Sequence, residues 1–495
     1  MEGSKTVKQV GLFLGPLLFV GIQLFQTDAL TPEAWKVLSL AAWMVIWWIT
    51  EAIPIPATAI LPMVVFPLMG IFSIGESTVN YANPIIFLFM GGFMIALALE
   101  RHNLHKRIAL NLIRITGTNA NGIILGFMIS TAMLSMWISN TATAVMMLPI
   151  AVSVVDLLRK QQNITQKPEE ISNKSPFGAF ALALFLGIAY SANIGGTATI
   201  IGTPPNVVFV GYVHEFYDYT VEFNTWLLIG LPVGIIMIAL TYFLLTKVLF
   251  PNRLGKIQGA SEIIRNHLQE LGKISKEEKL VALVFALTAF AWIFKNPINK
   301  IIGIDIMNDT ITAMAGGLLM FIIPTNWKEN TYILEWKDMK RLPWGILILF
   351  GGGIALAKGM ETTGIIQLIG QSISETDFLT GWLLILALTT VMLFMTELMS
   401  NVALTTIFIP VVFGIADGLG ENPLLLSIPV TLAASCAFMM PISTPPNAIV
   451  FASGYIRIKD MIKAGFVLNI VAIVVLVILS KTNFEWVYGA WPVGE

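Results

Sequence analysis

Charge is scarce in this sequence: Asp, Glu, Lys and Arg together make up 12% of its 495 residues, about half of what an ordinary soluble domain carries. Hydrophobic residues account for 56%, more apolar surface than a soluble core of this length can hide. Cysteine is nearly absent, and the single Cys436 excludes a disulfide framework within one chain. The four histidines, His102, His105, His214 and His267, fall in polar connectors away from any plausible nucleophile. Triad and metal chemistry therefore have no constellation to build on, and no zinc-ligand spacing occurs. No nucleophile-and-base pair or nucleotide loop is visible either, which argues against an enzyme and an organic cofactor. A net charge of −1 gives no reason to expect a nucleic-acid partner.

What the chain has instead is long apolar runs. Val10 to Phe25, Trp226 to Leu245 and Phe466 to Leu479 approach or exceed the roughly 20 residues that span a bilayer. The expected fold class is an all-α polytopic membrane protein. Eleven spans are predicted, near 9–27, 34–50, 57–74, 83–100, 178–212, 224–249, 280–295, 309–324, 343–360, 423–456 and 464–480. The N-terminus passes straight into an apolar segment with no small-residue cleavage site, so a retained first span is expected within 1–30. The amphipathic stretch "RHNLHKRIALNLIRITG" is expected at the membrane interface.

Two apolar regions, 121–157 and 381–418, are interrupted by polar residues. If both are re-entrant hairpins and the N-terminus is cytoplasmic, 24 of the 29 basic residues fall inside, the exceptions being Lys36, Lys295, Lys300, Lys358 and Lys481. Reading them as ordinary spans would put the largest polar connector, 251–279, outside with its basic residues. A cytoplasmic N-terminus in a cell (plasma) membrane is the resulting expectation.

The two regions match. "SMWISNTATAVMMLPI" has its counterpart in "TELMSNVALTTIFIP", with Ser139-Asn140 and Ser400-Asn401 261 residues apart. Farther on, "GTPPN" (Gly202 to Asn206) answers "STPPN" (Ser443 to Asn447) at an offset of 241. This is an internal duplication: a first repeat over 31–250, with hairpin 121–157 and broken helix 178–212, and a second over 280–495, with hairpin 381–418 and broken helix 423–456. Five crossings per copy turn the second copy upside down. Inverted repeats with polar, broken elements at matching positions point to the binding site of a secondary transporter.

The residue chemistry fits that reading. Ser135 and Ser139 are four apart, as are Thr396 and Ser400, a spacing that predicts their oxygens on one helix face beside the following Asn. Small hydroxyl and amide oxygens suit a hard cation such as Na⁺. Thr203-Pro204-Pro205 and Thr444-Pro445-Pro446 are expected to break their helices and to offer helix N-termini to a carboxylate. Gly91-Gly92 and Gly351-Gly352-Gly353 read as close helix packing. Glu397 reads either as a booster of cation affinity or as an acid paired with a nearby donor. No Lys, Arg or His occurs in either hairpin core or Pro-Pro region. A buried dianion there needs compensation from bound cations and helix dipoles, which makes Na⁺ coupling the economical mechanism.

At these residues, "SNTAT" and "SNVAL" followed by "NIGGTATIIGTPPN" and "MPISTPPNAIVF", the whole chain resembles the divalent anion/sodium symporter family, whose members carry dicarboxylates, citrate or sulfate as symporters or exchangers. The resemblance implies an elevator-type homodimer, in which a scaffold formed by the early spans holds a moving unit of hairpins, broken helices and last spans. It implies a first Na⁺ site at Ser135, Ser139, Asn140 and the Gly202 carbonyl. The second would use Thr396, Ser400, Asn401 and the Ser443 carbonyl. Substrate carboxylates would meet Asn140, Thr141, Asn401, Thr203 and Thr444, with Pro204 and Pro445 shaping the pocket. Val402 stands on the substrate side where the family pattern has a second threonine. The leading expectation is Na⁺-coupled uptake of a small dicarboxylate such as succinate, malate, fumarate or 2-oxoglutarate. A dicarboxylate exchanger, a citrate or sulfate carrier and, more remotely, an anion channel are its rivals.

Overall fold

The computed structural model describes residues 2–28, 30–303, 306–368 and 381–490. The expected N-terminal segment and second repeat therefore fall in part outside the described residues. The described chain is almost wholly helical, apart from a two-stranded ribbon of Pro324–Asn326 and Thr331–Tyr332. Among the described residues nine helices are long and apolar enough to cross a bilayer.

Helix starts follow the local chemistry. Thr31 caps Pro32–Thr50, Ser175 caps Pro176–Gly196 and Ser275 forms a capping box with Glu278 at the start of Lys276–Ile302, each hydroxyl accepting from a backbone N–H that the helix leaves unpaired. The expected single span at 57–74 is instead two short helices, Ile55–Thr58 and Leu61–Met69. Pro56 and Pro62 sit in their opening turns, where proline fits, whereas mid-helix it would remove a hydrogen bond.

Small residues let the helices meet closely. A methyl on Gly91 of Pro84–Arg101 would lie 2.4 Å from the backbone of Ala313, and one on Gly352 would lie 2.0 Å from the Ala59 carbonyl oxygen. Both glycine groups thus serve packing, as expected. Charges join segments distant in sequence. Arg107 reaches Glu278 at 2.8 Å, Arg101 pairs with Glu335 and Asp338, and buried Lys295 lies 3.3 Å from Glu222 and 3.1 Å from Asp309. The amphipathic helix Leu104–Ile115 is anchored through Arg107.

At the centre runs an uninterrupted buried stretch, Phe177 to Thr203. It packs against both arms of the first hairpin, Ala120–Ser135 and Asn140–Gln161, and against Pro445–Phe451 of the second broken element. The polar residues of the breaks are thereby held inside protein, a setting in which irregular backbone is tolerated at membrane depth.

Candidate functional site

Each hairpin turns at its Ser-Asn motif. The helix Ala120–Ser135 ends at Ser135, residues 136–138 make the turn, and Ser139 adopts φ −55 and ψ 140 as the N-cap of Asn140–Gln161, its Oγ accepting from Ala142 N at 3.2 Å. The second tip repeats the design: Trp382–Thr396 ends at Thr396, and Ser400, at φ −61 and ψ 122, opens Asn401–Leu419. This corrects the expectation that Ser135 and Ser139, like Thr396 and Ser400, share one helix face. An N-cap must leave the helical conformation, so the four-residue spacing straddles a turn.

Across that turn the motifs close on themselves. Ser135 Oγ donates to Asn140 Oδ1 at 2.5 Å and to Ala192 O at 2.7 Å. Thr396 Oγ1 donates to Asn401 Oδ1 at 2.7 Å and to Ala434 O at 2.8 Å. In this carboxamide orientation each cluster has two acceptors for one hydroxyl proton, an excess of lone pairs that suits a hard cation.

Each tip is therefore bonded to the last turn of a helix that then breaks. The first broken helix, Pro176–Gly196, ends at the Gly195-Gly196 pair and resumes at Pro204–Tyr217; the second, Pro423–Ala434, resumes at Pro445–Phe451. The sequence expectation that the prolines break the preceding helices is corrected: they open the following ones, where a missing N–H costs nothing. Asparagines close the breaks. Asn206 Nδ2 donates to Thr199 O at 2.8 Å, and Asn447 Nδ2 donates to Met440 O at 3.0 Å and Ala437 O at 3.1 Å.

Gly196 brings two predicted ligands together. A methyl there would sit 2.7 Å from Asn140 Oδ1 and 3.0 Å from the Gly202 carbonyl oxygen, so Ser135, Asn140 and Gly202 form one oxygen cluster while Ser139 Oγ serves as the cap. The last spans approach the breaks through glycine too. A methyl on Gly230 would lie 2.7 Å from the carbonyls of Thr197 and Ala198, and one on Gly465 would lie 2.4 Å from the Phe438 carbonyl.

The second tip has an acid, Glu397, where the first has Met136. Glu397 is 3% exposed, and among the described residues no basic group partners it. Its Oε1 accepts from Phe438 N at 2.7 Å, Met439 N at 2.9 Å and Asn469 Nδ2 at 2.8 Å. Its Oε2 accepts from Met440 N at 3.2 Å and Ser443 Oγ at 2.7 Å. Glu397 is thus the acid paired with nearby donors, and it pins the second tip to the second break. Ser443, Thr396 and Asn401 are accordingly close in the fold.

The two breaks also touch each other. Asn193 Nδ2, from the first broken helix, donates to Thr444 Oγ1 at 3.1 Å, and Thr203 Oγ1 lies 3.3 Å from Ser435 Oγ. Thr203 and Thr444, both buried, thus each meet a residue of the other break; Thr141 and Pro445 are exposed, and Asn140, Asn401, Val402 and Pro204 half-buried. Asn193, Ser435, Asn206, Asn447 and Gly196 were not singled out from the sequence. Asn193, Gly196 and the asparagines after each Pro-Pro stand inside the quoted motifs, which is the available signal, whereas Ser435 lies outside them.

Such an arrangement, helical spans around two polar hairpin tips and two broken helices, defines a membrane transporter. Its chain matches the family model described as the sodium:sulfate symporter transmembrane region over residues 8–490, and it belongs to that family, the divalent anion/sodium symporters. It is 41% identical over 474 residues, covering 95% of this chain and 90% of the relative, to the sodium-dependent dicarboxylate transporter SdcS of Staphylococcus saprophyticus. The SdcS of Staphylococcus aureus strain USA300 is 39% identical over 476 residues, with the same coverage. Among solved structures, the Alcanivorax borkumensis YdaH transporter is similar in fold, with a TM-score of 0.58 at 13% identity, covering 84% of this chain and 88% of that one. Neisseria gonorrhoeae MtrF also has a TM-score of 0.58, at 12% identity, covering 94% and 98%.

Proposed function

We propose that this protein carries small dicarboxylates such as succinate, malate, fumarate or 2-oxoglutarate across the cell membrane by symport with Na⁺. The observation that carries the reading is the pairing of two acceptor-rich tip clusters with two helix breaks in stretches free of Lys, Arg and His. A dicarboxylate between the tips has no basic side chain to meet, and an uncompensated dianion is too costly to bury. One Na⁺ at each cluster balances it. The first site uses Ser135, Asn140 and the Gly202 carbonyl, with Ser139 capping; the second uses Thr396, Ser400, Asn401 and the Ser443 carbonyl. The helix starts at Asn140, Pro204 and Asn401 direct N–H groups to the carboxylates, joined by Thr141, Thr203 and Thr444, with Val402, Pro204 and Pro445 shaping the wall.

In this reading the segments 31–250 and 280–495 are inverted repeats, joined by the cytoplasmic connector 251–279 and preceded by the separate span in 1–30. The reciprocal contacts Asn193–Thr444 and Thr203–Ser435 support a twofold relation between the breaks. The hairpins, broken helices and last spans then move as one unit against the remaining helices, in an elevator cycle within a homodimer whose N-termini are cytoplasmic.

The test is uptake of labelled succinate into proteoliposomes of purified protein. An inward Na⁺ gradient is expected to drive accumulation above the external concentration, and a K⁺ gradient is not. Strong counterflow from preloaded dicarboxylate with no response to Na⁺ would make the protein an exchanger, and competition by sulfate or citrate above that by succinate would move the substrate class.

A further inference from the structure

We infer that Asn193 and Ser435 are positioning residues that aim the hydroxyl protons of Thr444 and Thr203 at the substrate, each acting from the opposite half of the molecule. The inference rests on the proposed dicarboxylate site. Thr444 Oγ1 accepts from Asn193 Nδ2 at 3.1 Å and from Asn447 N at 3.4 Å. Asn193 Nδ2 is itself held by Ala437 O at 3.2 Å, so this carboxamide nitrogen can only donate. A hydroxyl has two acceptor lone pairs and one proton. With both lone pairs engaged by N–H donors, the Thr444 proton is left to point away from them, and no acceptor for it occurs among the described residues. A hydroxyl so oriented is a preorganised donor to a carboxylate.

In the first half a single hydroxyl stands where Thr444 has two N–H donors. Thr203 caps no backbone N–H of its own helix, and its hydroxyl partner is Ser435 Oγ at 3.3 Å. Asn193 and Ser435 are 1% and 2% exposed, and each lies one residue beyond the carbonyl, of Ala192 or Ala434, that ties a hairpin tip to its broken helix. Each residue thus links three parts: its neighbour's bond to the tip, its own helix, and the threonine of the other break. Asn193 is the stronger positioner, because a carboxamide N–H fixes the direction of donation, whereas two hydroxyls can exchange roles.

A double-mutant cycle in proteoliposomes tests this, reading the succinate KM at saturating Na⁺ and the Na⁺ concentration for half-maximal uptake. Asn193→Ala is expected to raise the succinate KM about tenfold, the size of one misdirected hydrogen bond to a charged group, and to leave the Na⁺ dependence unchanged. In a Thr444→Ala background the same substitution is expected to add nothing, since there is no hydroxyl left to aim. Ser435→Ala, with its own cycle against Thr203→Ala, is expected to behave likewise with a smaller effect, and it stands in if Asn193→Ala is not recovered folded. An unchanged KM, or losses that multiply in the double mutants, would overturn the inference. Absence of Na⁺-driven succinate uptake by the unmutated protein would instead overturn the proposed substrate class, so the two failures are distinguishable.

Discussion

Replacing Glu397 with Gln should loosen the second hairpin tip from the second break, and the single cysteine reports it. The carboxylate serves five donor groups: the N–H of Phe438, Met439 and Met440, the Ser443 hydroxyl and the Asn469 carboxamide. Glutamine keeps the shape but offers one acceptor oxygen. On the other side its NH₂ meets Met440 N–H, leaving one backbone donor without an acceptor at about 1–3 kcal/mol; the surviving bonds lose their charge assistance at about 1 kcal/mol each, which the lower cost of burying a neutral carboxamide partly offsets. A loss of about 3 kcal/mol raises the open population about a hundredfold. Cys436, 2% exposed and two residues before Phe438, is then exposed that much more often. The assay is the rate of maleimide labelling of purified protein under conditions where opening is fast compared with modification. The unmutated protein should label slowly and Glu397→Gln about a hundred times faster, whereas labelling at the unmutated rate would refute the pinning role.

Further outcomes follow from other sites. Gly196→Ala places a methyl between Asn140 and the Gly202 carbonyl; transport should be lost, and an active variant would show that the cluster has room to spare. Val402→Thr should shift succinate KM or substrate preference without changing the Na⁺ dependence, and a changed Na⁺ dependence would place residue 402 on the cation side. Burial pushes His105, on the helix Leu104–Ile115, down from 6.5 to about 4, against the hydrogen bond to Leu99 O and with help from Lys106 and Arg341. Between those values the unfolded chain binds the proton and the folded one does not, so stability falls as pH drops through that window, by about 3 kcal/mol at most. Melting temperatures of the unmutated protein and His105→Gln, followed from pH 7 to 4.5, should diverge, the mutant falling less; parallel curves would count against it.

The two tips and two breaks were legible in the sequence because hydroxyl and amide residues stand out in apolar surroundings, and their recurrence marked them as related. Details that depend on backbone direction were not. The spacing of Ser135 and Ser139 mimics a helix face, but Ser139 caps a new helix, and capping is set by φ and ψ. The donors to Glu397 are mostly backbone N–H groups, which have no side-chain signature. Asn193 and Ser435 lie 242 residues apart, whereas Thr203 and Thr444 lie 241 apart, and that shift of one residue within the break hid their correspondence. In the sequence proline reads as the breaker, yet the glycine pair ends the first helix and proline opens the next.

The central claim is that the two tip clusters bind Na⁺ together with the dicarboxylate, and succinate binding to the purified protein by calorimetry across a Na⁺ series tests it most directly. Linkage requires that the succinate affinity rise with the number of Na⁺ taken up on binding. A log–log slope near two is predicted for the unmutated protein, with binding lost in Asn140→Ala and in Asn401→Ala while both variants stay folded. Succinate affinity that is the same in Na⁺ and in choline, or intact in both asparagine variants, would contradict it.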